Sequence, residues 1–195
     1  MRKILFLFAM ALSLGFISCS GDDSNDGNAK DLGNGIYIIN GHRFVDLGLP
    51  SGTLWAETNI GAEKASDKGD YFAWGETSTK STFALVNYKF LRIDTIAYCY
   101  RLDGKYNEED GKTTLDKEDD AAYVIWVKSC RMPTNAQFEE LCQECSWTWT
   151  SKLGSDGSHT YGYAVKSKTN DNVIFLPAGG KIGTSTDENG EIAKT

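Results

Sequence analysis

The stretch "RMPTNAQFEELCQECSWTWT", residues 131–150, decides the fold, because it joins a helix start, a helix and a strand without a break. Thr134 and Gln137 stand at capping-box spacing with Pro133 just outside, so a helix is predicted to begin at Asn135. Phe138, Leu141, Cys142 and Cys145 then recur at i, i+3, i+4 and i+7, the spacing of one helical face. This pattern predicts a helix over about 135–145, with both cysteines buried and Glu139, Glu140, Gln143 and Glu144 in water. "SWTWT" alternates, which puts Trp147 and Trp149 on one face of a strand. Such a pair either packs into a core or forms a platform on which sugar rings stack, and both readings stand at this stage.

The cysteines of this stretch argue against chemistry. Cys142 and Cys145 lie at the C-terminal end of the predicted helix beside Glu144, where the helix dipole and the carboxylate both oppose a thiolate. Cys99, Cys130, Cys142 and Cys145 are enough for a zinc site in number, but their spacing is unlike that of paired C-x-x-C knuckles. No metal or cofactor is expected.

Outward from this stretch the chain is rich in short strands. "IYIIN", "RFVDLGL", "TLWAETN" and "DYFAW", between residues 36 and 74, are runs of β-branched and aromatic residues separated by Gly, Pro and Asn breaks. "TYGYAVKSKTNDNVIFLP" reads as two strands around a turn at Lys168 to Asp171. The polar segment from Asp103 to Asp120 reads as a long solvated loop, and its adjacent acids do not match the alternating ligands of a calcium loop. The class expected is α+β: short antiparallel strands with one clear amphipathic helix.

The N-terminus specifies an address. "MRKILFLFAMALSLGFISCS" has a basic start, an apolar run from Ile4 to Ile17 and then Ser18-Cys19, the form of a secretory signal peptide. The run is shorter than the roughly 18–20 residues a spanning helix needs. "FISC" resembles a bacterial lipobox, which implies a signal peptide over residues 1–18 and a lipidated Cys19. The run of Ser, Asp, Asn and Gly that follows cannot bury a core, so residues 19–34 are expected to form a flexible tether and residues 35–195 a single domain. Loss of Arg2 and Lys3 with the leader takes the formal net charge from −7 to −9, which excludes nucleic acid as an expected partner.

Catalytic signatures are poor. His42 and His159 are the only histidines, and neither H-E-x-x-H nor G-x-S-x-G occurs. The chain is therefore not expected to be an enzyme.

Several motifs together carry a family likeness. "VDLGLPSGTLWAETNIGAEKASDKGDYFAWGET", "LDKEDDAAYVIW", "RMPTNAQFEEL", "CSWTWT" and "NVIFLPAGG" occur in the order seen in the Fibrobacter succinogenes major paralogous domain family. The resemblance covers about Phe44 to Gly180 and implies a C-type-lectin-like fold, and the acidic run behind Cys19 resembles the export signal of Bacteroidetes surface lipoproteins. Together these imply an outer-membrane, cell-surface protein held in the membrane through its lipid, acting as a binding or adhesion module for a glycan, a protein or an envelope component. A structural envelope or fimbria-associated subunit is the alternative. "RMPTNAQFEEL" also resembles a segment of formylglycine-generating enzymes, but no cysteine follows Cys145 to hold their copper, so a degenerate relative of that oxidase is the weaker reading. Any ligand is expected near Trp74, Trp147, Trp149 and the 103–120 loop. Cys130 and Cys142 stand where the family pattern has Trp and Leu, which suggests a Cys130–Cys142 bridge and leaves Cys99 with Cys145, one of three possible pairings. Family members continue to further closing strands, so the chain reads as a shortened member whose sheet lacks a strand.

Overall fold

The computed structural model describes residues 11–12, 18–19, 29–94, 99–102, 104–126, 128, 130–186 and 192–194. Their main feature is an antiparallel sheet of six strands in the order β3-β4-β5-β6-β2-β9. The strands are β2 (Ser18–Cys19), β3 (Lys30–Asp31), β4 (Ile36–Ile39), β5 (His42–Asp46), β6 (Leu54–Ala56) and β9 (Cys130–Arg131). A second antiparallel sheet consists of β10 (Cys145–Leu153), β11 (His159–Ser167) and β12 (Val173–Pro177) in sequence order. The remaining strands are β1 (Ala11–Leu12), which pairs with β13 (Lys181–Thr186), itself paired with β14 (Ile192–Lys194), and the hairpin of β7 (Leu91–Asp94) with β8 (Cys99–Leu102). Two helices, α1 (Ala121–Ile125) and α2 (Asn135–Glu144), complete a mixed, strand-rich α+β architecture.

The six-stranded sheet is covered on both faces, and β5 shows why. Phe44 and Val45 are consecutive, so they point to opposite sides of the sheet, yet both are buried. Val45 and Trp55 pack on one side with Leu141 of α2 and with Val165, Ile174 and Leu176 of the second sheet. Phe44, Ala56 and Cys130 pack on the other side with Ala121 and Ala122 of α1. The layers are thus α1, the six-stranded sheet, and then α2 with the second sheet.

The two sheets are fastened by polar side chains at the 168–171 turn. Ser167 Oγ donates to Leu47 O at 2.6 Å, and Asn170 Nδ2 and Asn172 Nδ2 both donate to Asp46 O, at 3.0 and 2.8 Å. Leu47–Leu49 pass under that turn, and the close approach demands Gly48, at φ 62°, where an added Cβ would lie 3.2 Å from Thr169.

Helix α2 starts at Asn135 as its sequence predicts, with both halves of the capping box formed: Gln137 N–H donates to Thr134 Oγ1, and Thr134 N–H donates to Gln137 Oε1 at 3.0 Å. It ends at Glu144, and the chain turns directly into β10. Four expectations need correction. Cys142 is exposed, because Leu141 is the residue that faces the core and its neighbour lies about 100° further round the helix. "DYFAW" forms no strand beyond an isolated bridge at Phe72, since the chain turns at Ala73 to Glu76 around Gly75, at φ 77°. The 103–120 segment is not simply solvated: Tyr106 and Asp119 are buried in it, and α1 follows. Ordered structure also begins before residue 35, at β3, because Asp31 Oδ1 accepts from Gly33 N–H at 2.7 Å and closes a hairpin turn onto β4. Residues 20–28 of the expected tether lie outside the described residues.

Candidate functional site

The hairpin of β10 and β11 places aromatic rings in a row. Register sets Trp147 opposite Val165, Trp149 opposite Tyr163 and Ser151 opposite Tyr161, so all of these share one face. The face starts in the core, where Val165 is fully buried and Trp147 packs half-buried against the main cluster. Further along the hairpin it leaves the protein. Trp149, Tyr161 and Tyr163 are 54%, 58% and 41% exposed, well above what core residues of their size show.

The rings support one another. Trp149 and Tyr161 lie nearly parallel, 14° apart in plane with centroids 6.3 Å apart, and Tyr163 meets Trp149 edge-on at 4.9 Å. Trp147 continues the row, 5.6 Å from Tyr163 and 6.0 Å from Phe138 on α2. Trp147 Nε1 is buried and donates to no oxygen. Two strands and a capped helix therefore hold a track of rings that is rigid at its buried end and open to water at the other.

Phe138 also lines a cleft of about 300 Å³, with Trp74, Leu115, Met132 and Pro133 as its other apolar walls and Thr113, Thr114, Thr134 and Asn135 as polar groups at its surface. Asp120 sits in the wall, and its carboxylate is engaged from three sides. It accepts from the N–H groups of Ala122 and Tyr123, capping α1, and from Met132 N–H at 2.9 Å. Burial pushes its pKa up from the ordinary value, against the downward pull of those hydrogen bonds. An acid spent on capping a helix and on bonding the next strand is a structural group, not a free general base.

The outer wall of the cleft is the 104–120 segment, pinned by Asp119. This carboxylate, 2% exposed, accepts from Lys89 Nζ at 2.6 Å, Tyr106 Oη at 2.8 Å and Lys105 Nζ at 2.9 Å. Burial alone would raise Asp119, but the hydrogen bonds from Lys89, Lys105 and Tyr106 outweigh it and hold its pKa at about 2. Tyr106 is pushed up from its usual value, chiefly by burial. Tyr106 in turn supports the cleft, with Trp74 edge-on at 4.6 Å. Asp116, Glu118 and Asp119 come close enough together to suggest a cation site, but Lys105 bridges all three and Lys112 pairs with Asp116, so ammonium groups already supply the positive charge.

The expected residues thus fall in different places. Trp74 lines the cleft, Trp147 anchors the ring track and Trp149 lies at its exposed end. Cys130 and Cys142 are not bridged, since Cys130 is buried in the α1 layer while Cys142 faces water from α2. Cys145 is an unbridged thiol in the other core cluster, and burial pushes its pKa up. The side chain of Cys99 lies outside the described residues, as does that of Cys19, whose backbone forms part of β2. His42 stacks on Trp126 at 3.9 Å, and burial lowers its pKa. His159 stands at the start of β11 with Ser151 Oγ 3.5 Å away. Tyr161, Tyr163 and Phe138 were missed as site residues. The alternation "TYGY" was the signal for the first two, and it gains meaning only once β11 is placed in register with β10.

Among the described residues no helix is long and apolar enough to cross a membrane. Comparison with protein-family models, with curated proteins and with solved structures finds no match.

Proposed function

We propose that this chain is a cell-surface lipoprotein of the Fibrobacter succinogenes major paralogous domain family, with a C-type-lectin-like fold, and that it binds neutral glycan along the track from the cleft to Tyr161. The observation that carries this reading is the exposure of Trp149, Tyr161 and Tyr163 at the end of a face that is otherwise core. A pyranose ring has an apolar C–H face and polar edges, so a flat aromatic surface hides the face and leaves the hydroxyls in water. Parallel Trp149 and Tyr161 offer such a surface, and the threonines and Asn135 at the cleft offer hydrogen bonds for a terminal sugar. The net negative charge disfavours anionic polysaccharides as ligands. Binding without turnover fits a cleft whose acid is occupied by backbone N–H groups.

The address follows from the leader and the lipobox-like Cys19, with lipid as the anchor in the outer membrane. The test is a glycan array, followed by affinity electrophoresis in gels containing soluble β-glucan, xylan, mannan or galactan. Retardation of the wild-type protein by at least one polysaccharide, lost in Trp149→Ala/Tyr161→Ala, is expected. Equal migration of the two proteins in every gel, or hydrolysis of a polysaccharide, would refute the reading.

A further inference from the structure

The cleft at Phe138 changes character between its mouth and its depth. Thr113, Thr114 and Asn135 are exposed at the mouth, while Trp74, Leu115, Met132, Pro133 and Phe138 stand half-buried along the walls. Asp120 is buried in the lining and Thr134 half-buried, and the oxygens of both are already engaged. Asp120 Oδ1 accepts from the N–H groups of Ala122 and Tyr123, and Oδ2 accepts from Met132 N–H. Thr134 Oγ1 accepts from Gln137 N–H and donates to Gln137 Oε1, both at 3.3 Å. A ligand group that passes the mouth therefore meets chiefly carbon, sulfur and aromatic rings. A hydroxyl or amide carried there would exchange water for apolar wall, at a cost in free energy that a methyl group does not bear.

We infer that the cleft takes the terminal sugar of the bound glycan, and that this sugar is a 6-deoxyhexose, with its methyl group directed inward and its ring hydroxyls at the mouth. This assignment rests on the glycan reading and deepens it by naming the end group. The cleft volume, about 300 Å³, lies at the low end for small-molecule pockets and suits one sugar residue, hence a chain end. Phe138 connects the cleft to Trp147 of the ring track, so the sugars behind the end group come to lie along the exposed rings.

The lining also discriminates among neutral end groups. A hexose with all of its hydroxyls would carry the 6-hydroxyl into the apolar depth. An N-acetyl sugar would bring an amide there, whose N–H and C=O would find Asp120 and Thr134 already bonded within the protein. The bare methyl of a 6-deoxyhexose needs no partner and gains from contact with Leu115, Met132 and the two rings. Hydroxyl discrimination by an apolar pocket is of the order of ten- to a hundredfold.

The test is saturation-transfer NMR of the full chain with two matched pairs of sugars, L-fucose with L-galactose and L-rhamnose with L-mannose, whose members differ only in the 6-hydroxyl. In at least one pair the 6-deoxy sugar is expected to bind about tenfold tighter or more, with its methyl protons receiving the strongest saturation. Thr114→Trp, a bulky ring placed at the mouth from an exposed position, is expected to abolish that binding without lowering the melting temperature. Equal affinity within both pairs, a preference for L-galactose or L-mannose, tighter binding of N-acetylglucosamine, no saturation of any sugar, or unchanged binding in Thr114→Trp overturns the assignment. In each of these cases, continued retardation of the protein by a polysaccharide gel leaves the glycan reading standing. A protein that binds none of the sugars and is retarded in no gel overturns both.

Discussion

Replacing Asp119 by Asn would show whether one buried carboxylate holds the outer wall of the cleft. Asp119 accepts from two ammonium groups and a phenol, and its pKa is held at about 2 from an ordinary 3.8. A group lowered in the folded state contributes stability that is present above the unfolded pKa and lost as pH falls through the folded one. The window is therefore about pH 4 down to pH 2. At about 1.36 kcal/mol per unit the shift corresponds to at most ~2.4 kcal/mol, and because Lys89 is 48% and Lys105 31% exposed, solvent screening reduces this to about 1–2 kcal/mol. For a domain of this size that is a fall in melting temperature of roughly 2–8 °C at pH 7. The assay is thermal unfolding of the wild type and Asp119→Asn at steps from pH 7 to pH 2. The melting temperatures should differ at pH 7 and converge towards pH 2. Asp120, raised by burial, works in the opposite direction and gains from protonation, but both proteins keep it, so it cancels in the difference. A gap independent of pH, or no gap at pH 7, would refute the role given to Asp119.

Leu141→Ala should destabilise the protein by about 2–5 kcal/mol in urea unfolding, because Leu141 is fully buried where α2, both sheets and Trp55 meet. Gly162→Ala should also lower the urea midpoint, since the new Cβ would lie 2.2 Å from Leu176 O of the neighbouring strand, and an unchanged midpoint would contradict the β11–β12 register. Without denaturant, iodoacetamide should label Cys142 rapidly and leave Cys130 and Cys145 unmodified, as mapped by peptide mass, because of these three Cys142 alone faces water; a Cys130–Cys142 bridge would protect both.

Local signals in the chain were enough for the elements that depend on local physics. Thr134 and Gln137 announced the start of α2 because a capping box is closed by residues three apart. The first three β-rich runs and the 168–171 turn declared themselves through side-chain type and turn chemistry. The alternation of Trp147 and Trp149 put both on one face, but whether that face was core or platform lay beyond the strand itself. The answer came from register: Trp147 lies opposite buried Val165, while Trp149 lies opposite Tyr163, where the second sheet has passed the edge of the core. The same holds for Cys142, which a helical stripe placed inside and the packing of Leu141 turned outward. The cleft, the pinning of its wall by Asp119 and the order of strands in the six-stranded sheet join residues separated by tens of positions. Such contacts form only when long loops close, and no periodicity along the chain records which distant partners then meet.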